Sequence, residues 1–194
     1  MIPTQGIICK GQEITLGWPD KSDFDKITAL RNDPGVRCHF LDSRIIDPQE
    51  NRTWLTSGMN RPSESLLSIR WLPTGAFVGT IGWSGWDRAR ATACFGRLMV
   101  DRIAIRQIRG DFDKSYPGVA IDAATTLRDF AFTGMELREL TTYHLADNER
   151  SNRVNLAVGM RQRGTEIRLK ADGSSVQTIE FHLTRDEWEL IARV

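Results

Sequence analysis

Residues 117–132, PGVAIDAATTLRDFAF, decide how the rest of the chain is read. A Pro-Gly pair opens the stretch, and Val119, Ala120, Ala123, Ala124, Leu127, Phe130 and Ala131 follow at the three-and-four spacing of one buried helix face. The spacing predicts a helix fed by a loop. Gly118 has no Cβ, so a ligand can approach its backbone closely, and a first helical turn leaves N–H groups unpaired at the positive end of the dipole. Such an end suits an anion, a pyrophosphate among them. A core helix behind a Pro-Gly turn, with no ligand, fits the same residues.

Working outward, three alternating stretches precede this helix. Leu66 to Trp71, Ala76 to Trp83 and Ala93 to Val100 read as antiparallel strands; Pro73-Thr74-Gly75 joins the first two, and Trp86 and Asp87-Arg88-Ala89-Arg90 precede the third. Before them, residues 6–17 read as a hairpin or two short strands, and Asp23 to Arg31 as a helix stopped by Asp33-Pro34-Gly35. Val36 to Phe40 is a short helix or a loop, and Pro48 to Leu55 a helix capped by Asp47. Beyond Gly134, Leu137 to His144 is a strand and Arg150 to Val158 a short helix ended by Gly159. Thr165 to Lys170 and Val176 to Leu183 pair across Asp172-Gly173, and Thr184 with Glu187 caps a last helix reaching Arg193. Residues 101–116, DRIAIRQIRGDFDKSY, read as an Arg- and Asp-rich loop insert.

The 194 residues, 40% hydrophobic and 26% charged, suit one globular domain over 1–194. Lys and Arg number 26 against 25 Asp and Glu, and the formal charge of +1 argues against a broad nucleic-acid footprint. Cys9, Cys38 and Cys94 have no paired spacing, so neither a metal site nor a disulfide framework is expected, and a reducing cytoplasm fits. No signal-peptide pattern opens the chain, and no apolar run approaches the ~20 residues of a membrane helix, so no membrane partner is expected.

The element order, with ITLGWPDKSDFDKITALRNDP (14–34), GAFVGTIGWSG (75–85), FGRLMV (95–100), the glycine-opened helix and ADNERSNRVNLAVGM (146–160), resembles the GNAT superfamily of acyl-CoA-dependent N-acetyltransferases over nearly the whole chain. RNDPGVR (31–37) and EFHLTRDEW (180–188) look most like the branch of ribosomal-protein N-terminal and amino-sugar N-acetyltransferases. The resemblance implies an α/β (α+β) fold: a mixed, mostly antiparallel sheet with helices on both faces, splayed between its fourth and fifth strands, here 93–100 and 137–144. It implies acetyl-CoA as co-substrate, no metal, and a small-molecule amine as acceptor, in a monomer or homodimer.

By the same resemblance, Leu98, Met99 and Val100 would contact pantetheine, Gly118, Val119 and Ala120 would cradle the pyrophosphate, and Asn148, Ser151 and Asn155 would lie toward the thioester. Ser115 stands where the family's phosphate loop has Gln or Arg, so Arg106, Arg109 and Lys114 are expected to supply cations instead, unless they belong to a solvated loop. Arg109-Gly110 followed by Pro117-Gly118 is similar to carbohydrate-pathway members, which implies a sugar-like acceptor. Cys94 and Asn155 occupy positions where relatives carry a Glu base and a Tyr acid. His144 is therefore the expected base, Ser151 the expected donor to the leaving thiolate, and Asp87 a further catalytic candidate, although strand alternation can turn His144 away from the cleft. Arg37, His39, Asp42, Trp83 and Trp86 are expected to bind the acceptor, carboxylates holding a cation and indoles stacking on rings. Acetylation of a protein N-terminus, through an open groove, and acyl-CoA binding without catalysis are the alternatives.

Overall fold

The computed structural model describes residues 6–58, 63–109 and 112–192, with no side-chain description for 109 and 112–117. Eight strands form one sheet: β1 (Ile7–Lys10), β2 (Ile14–Gly17), β3 (Ser65–Trp71), β4 (Phe77–Asp87), β5 (Thr92–Val100), β6 (Glu139–Leu145), β7 (Arg161–Leu169) and β8 (Ser175–Thr184). Their order is β1-β2-β3-β4-β5-β6-β8-β7, and every pairing is antiparallel except β5 with β6. Residues 6–17 are thus a hairpin. The remaining elements are a 3-10 turn (Lys21–Asp23), α1 (Phe24–Asn32), α2 (Pro34–Arg37), α3 (Pro48–Gly58), α4 (Arg102–Arg109), α5 (Phe112–Thr133), α6 (Glu149–Ala157) and α7 (Arg185–Ile191).

Two cores lie on opposite faces of the sheet. The larger joins Leu67, Ile69, Ile81, Phe95 and Leu140 of the strands to Val119, Ala123, Leu127 and Phe132 of α5. The smaller joins Phe24 and Ile27 of α1 and Leu55 of α3 to Leu66 and Phe77. The central helix is fixed at both ends. Its Asp122 accepts from the Gln12 and Glu13 amides at 3.0 and 2.7 Å, pinning the β1–β2 turn, and its Asp129 accepts from Trp188 Nε1 at 2.7 Å.

The charged insert is not a loop. Asp101 Oδ1 accepts from the amides of Ile103 and Ala104 at 3.0 and 2.9 Å, an N-cap that starts α4, and Ile105 is buried with Ile108 packed beside it. The central helix also begins five residues before Pro117. Pro is favoured in a first helical turn, which is why Pro117 read as the start; here it stands in the second turn, and Gly118 follows inside the helix. The N–H groups of the first turn that lack intrahelical acceptors therefore lie upstream of Gly118, Val119 and Ala120. Gly110 and Arg193 lie outside the described residues, as do the side chains of Arg109, Lys114 and Ser115. Among the described residues no helix is long and apolar enough to cross a membrane.

Candidate active site

The parallel ladder between β5 and β6 is three pairs long: Thr92 with Glu139, Ala93 with Leu140 and Cys94 with Thr141. Beyond Cys94 the two strands part. The β4–β5 register steps from Gly82 opposite Gly96 to Thr80 opposite Met99, so β5 carries an extra residue there, and Arg97 takes φ 55°. A bulge of this kind bends its strand. The Asp101 amide bonds the Val78 carbonyl at 2.8 Å; by alternation Met99 turns its backbone groups toward Thr80 and Val100 turns its N–H and C=O into the gap. On β6, the Ala146 amide bonds the Gln177 carbonyl at 2.9 Å, and the same alternation points the backbone groups of Tyr143 and Leu145 into the gap. Leu98 sits in the bulge itself. The gap thus has backbone donors and acceptors on both edges, as an extended amide-bearing ligand needs.

Cross-strand partners share a face, which sorts the side chains around the gap. Ser84, Cys94, Thr141 and His182 form one row across four strands, and Gly82, Gly96, Tyr143 and Glu180 the next. Both rows lie on the face that α1 and α3 cover through Leu66, the partner of Gly82. Arg168 comes from β7, its guanidinium 4.0 Å over the Tyr143 ring and 3.3 Å from Glu180. From the other side, Arg97 pairs with Glu64 at 2.7 Å and stacks 4.8 Å over Trp54 of α3. The Ala171 amide, in the β7–β8 turn, bonds the Leu41 carbonyl at 3.0 Å, tying the hairpin tip to the loop after α2.

Burial holds the Cys94 thiol above its ordinary value, against the opposing pull of the Thr141 and Ser84 hydroxyls and Arg168. Burial and the neighbouring Cys94 likewise raise the Tyr143 phenol, while Arg168 and Arg97 pull it down. Both groups therefore keep their protons near neutrality.

His144 lies elsewhere than expected. It pairs with Ile179 on the α5 face, is 6% exposed, and its ring sits 5.5 Å from Phe181. Its Nδ1 is 2.9 Å from the Leu145 carbonyl, which can only accept, so Nδ1 carries a hydrogen, and Nε2 has no partner among the described residues. Strand alternation has turned it from the Cys94 row. Asp87 is likewise occupied: its Oδ1 accepts from the amides of Ala89 and Arg90 at 2.9 and 3.0 Å, closing the β4–β5 turn. Asn148 caps α6 by accepting from the Ser151 amide at 3.1 Å, and Asn155 is buried in that helix.

The expected acceptor residues divide. Trp83 is 3% exposed in the α5-side core, edge-on to Trp18, because its partner Phe95 faces that way. Trp86 packs partly into the same core beneath Arg88. Neither indole stands on the Cys94 face. Arg37 bonds the Ser43 carbonyl at 2.7 Å, Asp42 pairs with Arg44, which also grips Glu50, and His39 is half-buried in the same loop. The Asp42 carboxyl feels an upward push from burial, but the Arg44 hydrogen bonds outweigh it and hold the group below its ordinary value. A backbone bond from the Ala171 amide to the Leu41 carbonyl ties this loop to the β7–β8 turn. Arg97, Tyr143, Arg168 and Glu180 escaped sequence reading, though the alternation of Thr141 and Tyr143 against Leu140, Thr142 and His144 was there to be used.

Of the cofactor candidates, Gly118 is exposed and a Cβ there would meet no atom within 4 Å, while Val119 and Ala120 are buried and Arg106 is exposed on α4. Among the described residues no three His, Cys, Asp or Glu groups are placed to hold a metal.

Solved structures similar to this one include an acetyltransferase of the GNAT family from Bacillus anthracis, with TM-score 0.76 and 16% identity over 92% of this chain and 98% of that one. A spermidine N-acetyltransferase from Vibrio cholerae in complex with CoA and spermine has TM-score 0.75 and 12% identity over 91% and 98%. The microcin C7 self-immunity acetyltransferase in complex with acetyl-CoA and AMP has TM-score 0.70 and 16% identity over 89% and 93%. No curated protein matches the chain. Residues 13–161 match the family described as the acetyltransferase (GNAT) domain, and the chain belongs to that family.

Proposed function

We propose that the chain transfers an acetyl group from acetyl-CoA to a primary amine of a small molecule, with amino sugars and nucleotide-linked amino sugars as the acceptor class. The observation that carries the donor half is the three-pair ladder that stops at Cys94 and Thr141, leaving Val100 on one edge of a gap and Tyr143 and Leu145 on the other to meet the amides of pantetheine. Gly118 and Arg106, both exposed, are assigned to the phosphates. Ser151, whose hydroxyl makes no hydrogen bond to another described residue, is assigned as donor to the departing thiolate, beside Asn148 and Asn155.

The amine must attack in its neutral form, since an alkyl amine near pKa ~10 is almost wholly protonated at neutral pH. Cys94 cannot take that proton, because burial keeps it a thiol. Glu180, on the next row across from Tyr143, is the carboxylate assigned to receive it, directly or through water. Attack forms a tetrahedral oxyanion, which backbone N–H groups along the gap are suited to stabilise.

The tie between Ala171 and Leu41 supports a small acceptor over a protein N-terminus, which needs an open groove. The thiol at Cys94 favours the second reading, binding without catalysis. Release of free CoA thiol from acetyl-CoA, measured with amino sugars, polyamines and a ribosomal-protein N-terminal peptide, tests both: release with amino sugars upholds the proposal, and none with any amine removes it.

A further inference from the structure

The sheet ends in two edges of unequal kind. β1 is four residues long and bulges between Ile7 and Cys9, so it offers another strand little regular backbone. β7 is nine residues long and pairs, among the described residues, with β8 alone. The Lys170 amide bonds the Ser174 carbonyl at 2.8 Å and the Thr178 hydroxyl bonds the Glu166 carbonyl at 3.1 Å, so Glu166, Arg168 and Lys170 turn their backbone groups toward β8. Thr165, Ile167 and Leu169 therefore turn theirs outward. This outward run is closed at one end by the bulge between Gln162 and Gly164, and at the other by the Ala171 amide, which is committed to Leu41.

The side chains of the run are apolar on one face and charged on the other. Ile167 and Leu169 stand 65% and 69% exposed on the α5 face, where their β8 partners Gln177 and Ser175 are exposed too. On the opposite face Glu166 and Arg168 pair at 2.8 Å, and Glu166 is still largely exposed. A strand edge that stays single is ordinarily blunted by charge, proline or shortness. Here the nearest arginines, Arg161 and Arg163, lie outside the run and are engaged by Glu187 and Glu139.

Outward groups bond only to outward groups, so a second copy of the chain meets this edge in few registers. Centring a two-fold axis on Glu166 or on Arg168 sets like charges opposite each other, and centring it on Thr165 runs the pairing into the bulge. Centring it on Ile167, the middle of the run, sets Thr165 against Leu169 of the partner subunit and Ile167 against its own copy. Glu166 then faces Arg168 of the partner subunit on both sides of the axis. We propose that β7 is a homodimer interface: two chains join antiparallel through residues 165–169 with the axis at Ile167, making two eight-stranded sheets continuous. The exposed isoleucines and leucines gain cover across the axis, and each Glu166 carboxylate lies between two guanidinium groups. Because the axis stands perpendicular to the sheet, both Tyr143–Glu180 faces lie on the same side.

Sedimentation equilibrium on the full chain tests this with Ile167→Lys, Glu166→Arg and Arg168→Glu, each checked for folding by circular dichroism. The wild type should be a dimer at tens of micromolar. Ile167→Lys sets two ammonium groups at the axis and should raise the dissociation constant tenfold or more. Each charge reversal alone should do the same, since it places like charges opposite each other on both sides of the axis. Mixed one to one, the two charge-reversed chains should dimerise again, because opposite charges then face each other at both positions. If Arg168→Glu fails to fold, Ile167→Lys, altered at an exposed position, decides alone. A monomeric wild type, a dimer unaffected by Ile167→Lys, or folded charge-reversed chains that do not recombine overturns the proposal.

Discussion

Cys94 and Thr141 form the last pair of the parallel ladder between β5 and β6, and both side chains face the side that carries Tyr143 and Glu180. The ladder ends because β5 bulges at Arg97, where the register with β4 slips by one residue. One strand defect thus produces two features, a gap edged with backbone groups and a guanidinium delivered to the face of Tyr143 and Glu180.

Gly96 lies one step past that pair, with open space where a Cβ would stand. Gly96→Val should fold at least as well as the wild type, since valine suits a strand better than glycine. Its methyls would stand on the face that carries Tyr143 and Glu180, beside the gap. We expect kcat/KM for the amine to fall at least ~10-fold, a loss of ~1.4 kcal/mol in transition-state binding, with the melting temperature held or raised. Unchanged kinetics would remove this part of the face from the acceptor path.

His144 separates packing from chemistry. Its ring lies against Phe181 on the α5 side and is nearly buried. His144→Phe should keep kcat within about threefold, whereas His144→Ala should lower stability by about 2 kcal/mol through the cavity it leaves. A hundredfold fall in kcat for a folded His144→Phe would return the imidazole to catalysis.

Three protonated groups set an alkaline limit on stability. Burial pushes the Cys9 thiol up to about 12 and raises Cys94 and Tyr143 above ordinary values of 9.0 and 10.0. A pKa raised on folding contributes stability that is full below the unfolded value and lost as pH rises through the folded one. The urea midpoint should therefore be flat from pH 7 to about 8.5 and fall between about pH 9 and 11, less steeply in Cys9→Ala and Cys94→Ala. A thiol reagent at pH 7.5 should modify exposed Cys38 well before the other two.

Asp87 closes the β4–β5 turn through two amides. Asp87→Ala should reduce stability by about 1 kcal/mol and leave kcat/KM per folded molecule within threefold. Loss of turnover without loss of stability would contradict the structural assignment.

The fold was legible because its signals are local. Alternation in 66–71 and 76–83, the Asp47 cap and the Thr184–Glu187 capping box each lie within a few residues, and all appear in the structure. The α4 helix was missed although Asp101, Ala104, Ile105 and Ile108 carry a cap and a helical period, because arginines between them masked the apolar face. The site was less legible since its parts are distant in sequence. Nothing near Arg168 points to Tyr143 or Glu180; their meeting depends on the β6-β8-β7 order and register. Trp83 read as a wall because indoles often are, yet one residue of register places it in the core instead.

The most direct test of the central claim is a calorimetric titration of acetyl-CoA into the wild type and Gly118→Trp. The indole would project into open space from α5, so the helix should persist, while the approach of the phosphates would be obstructed. The account predicts micromolar binding by the wild type and its loss in the variant. No binding by the folded wild type, or equal binding by both proteins, would contradict it.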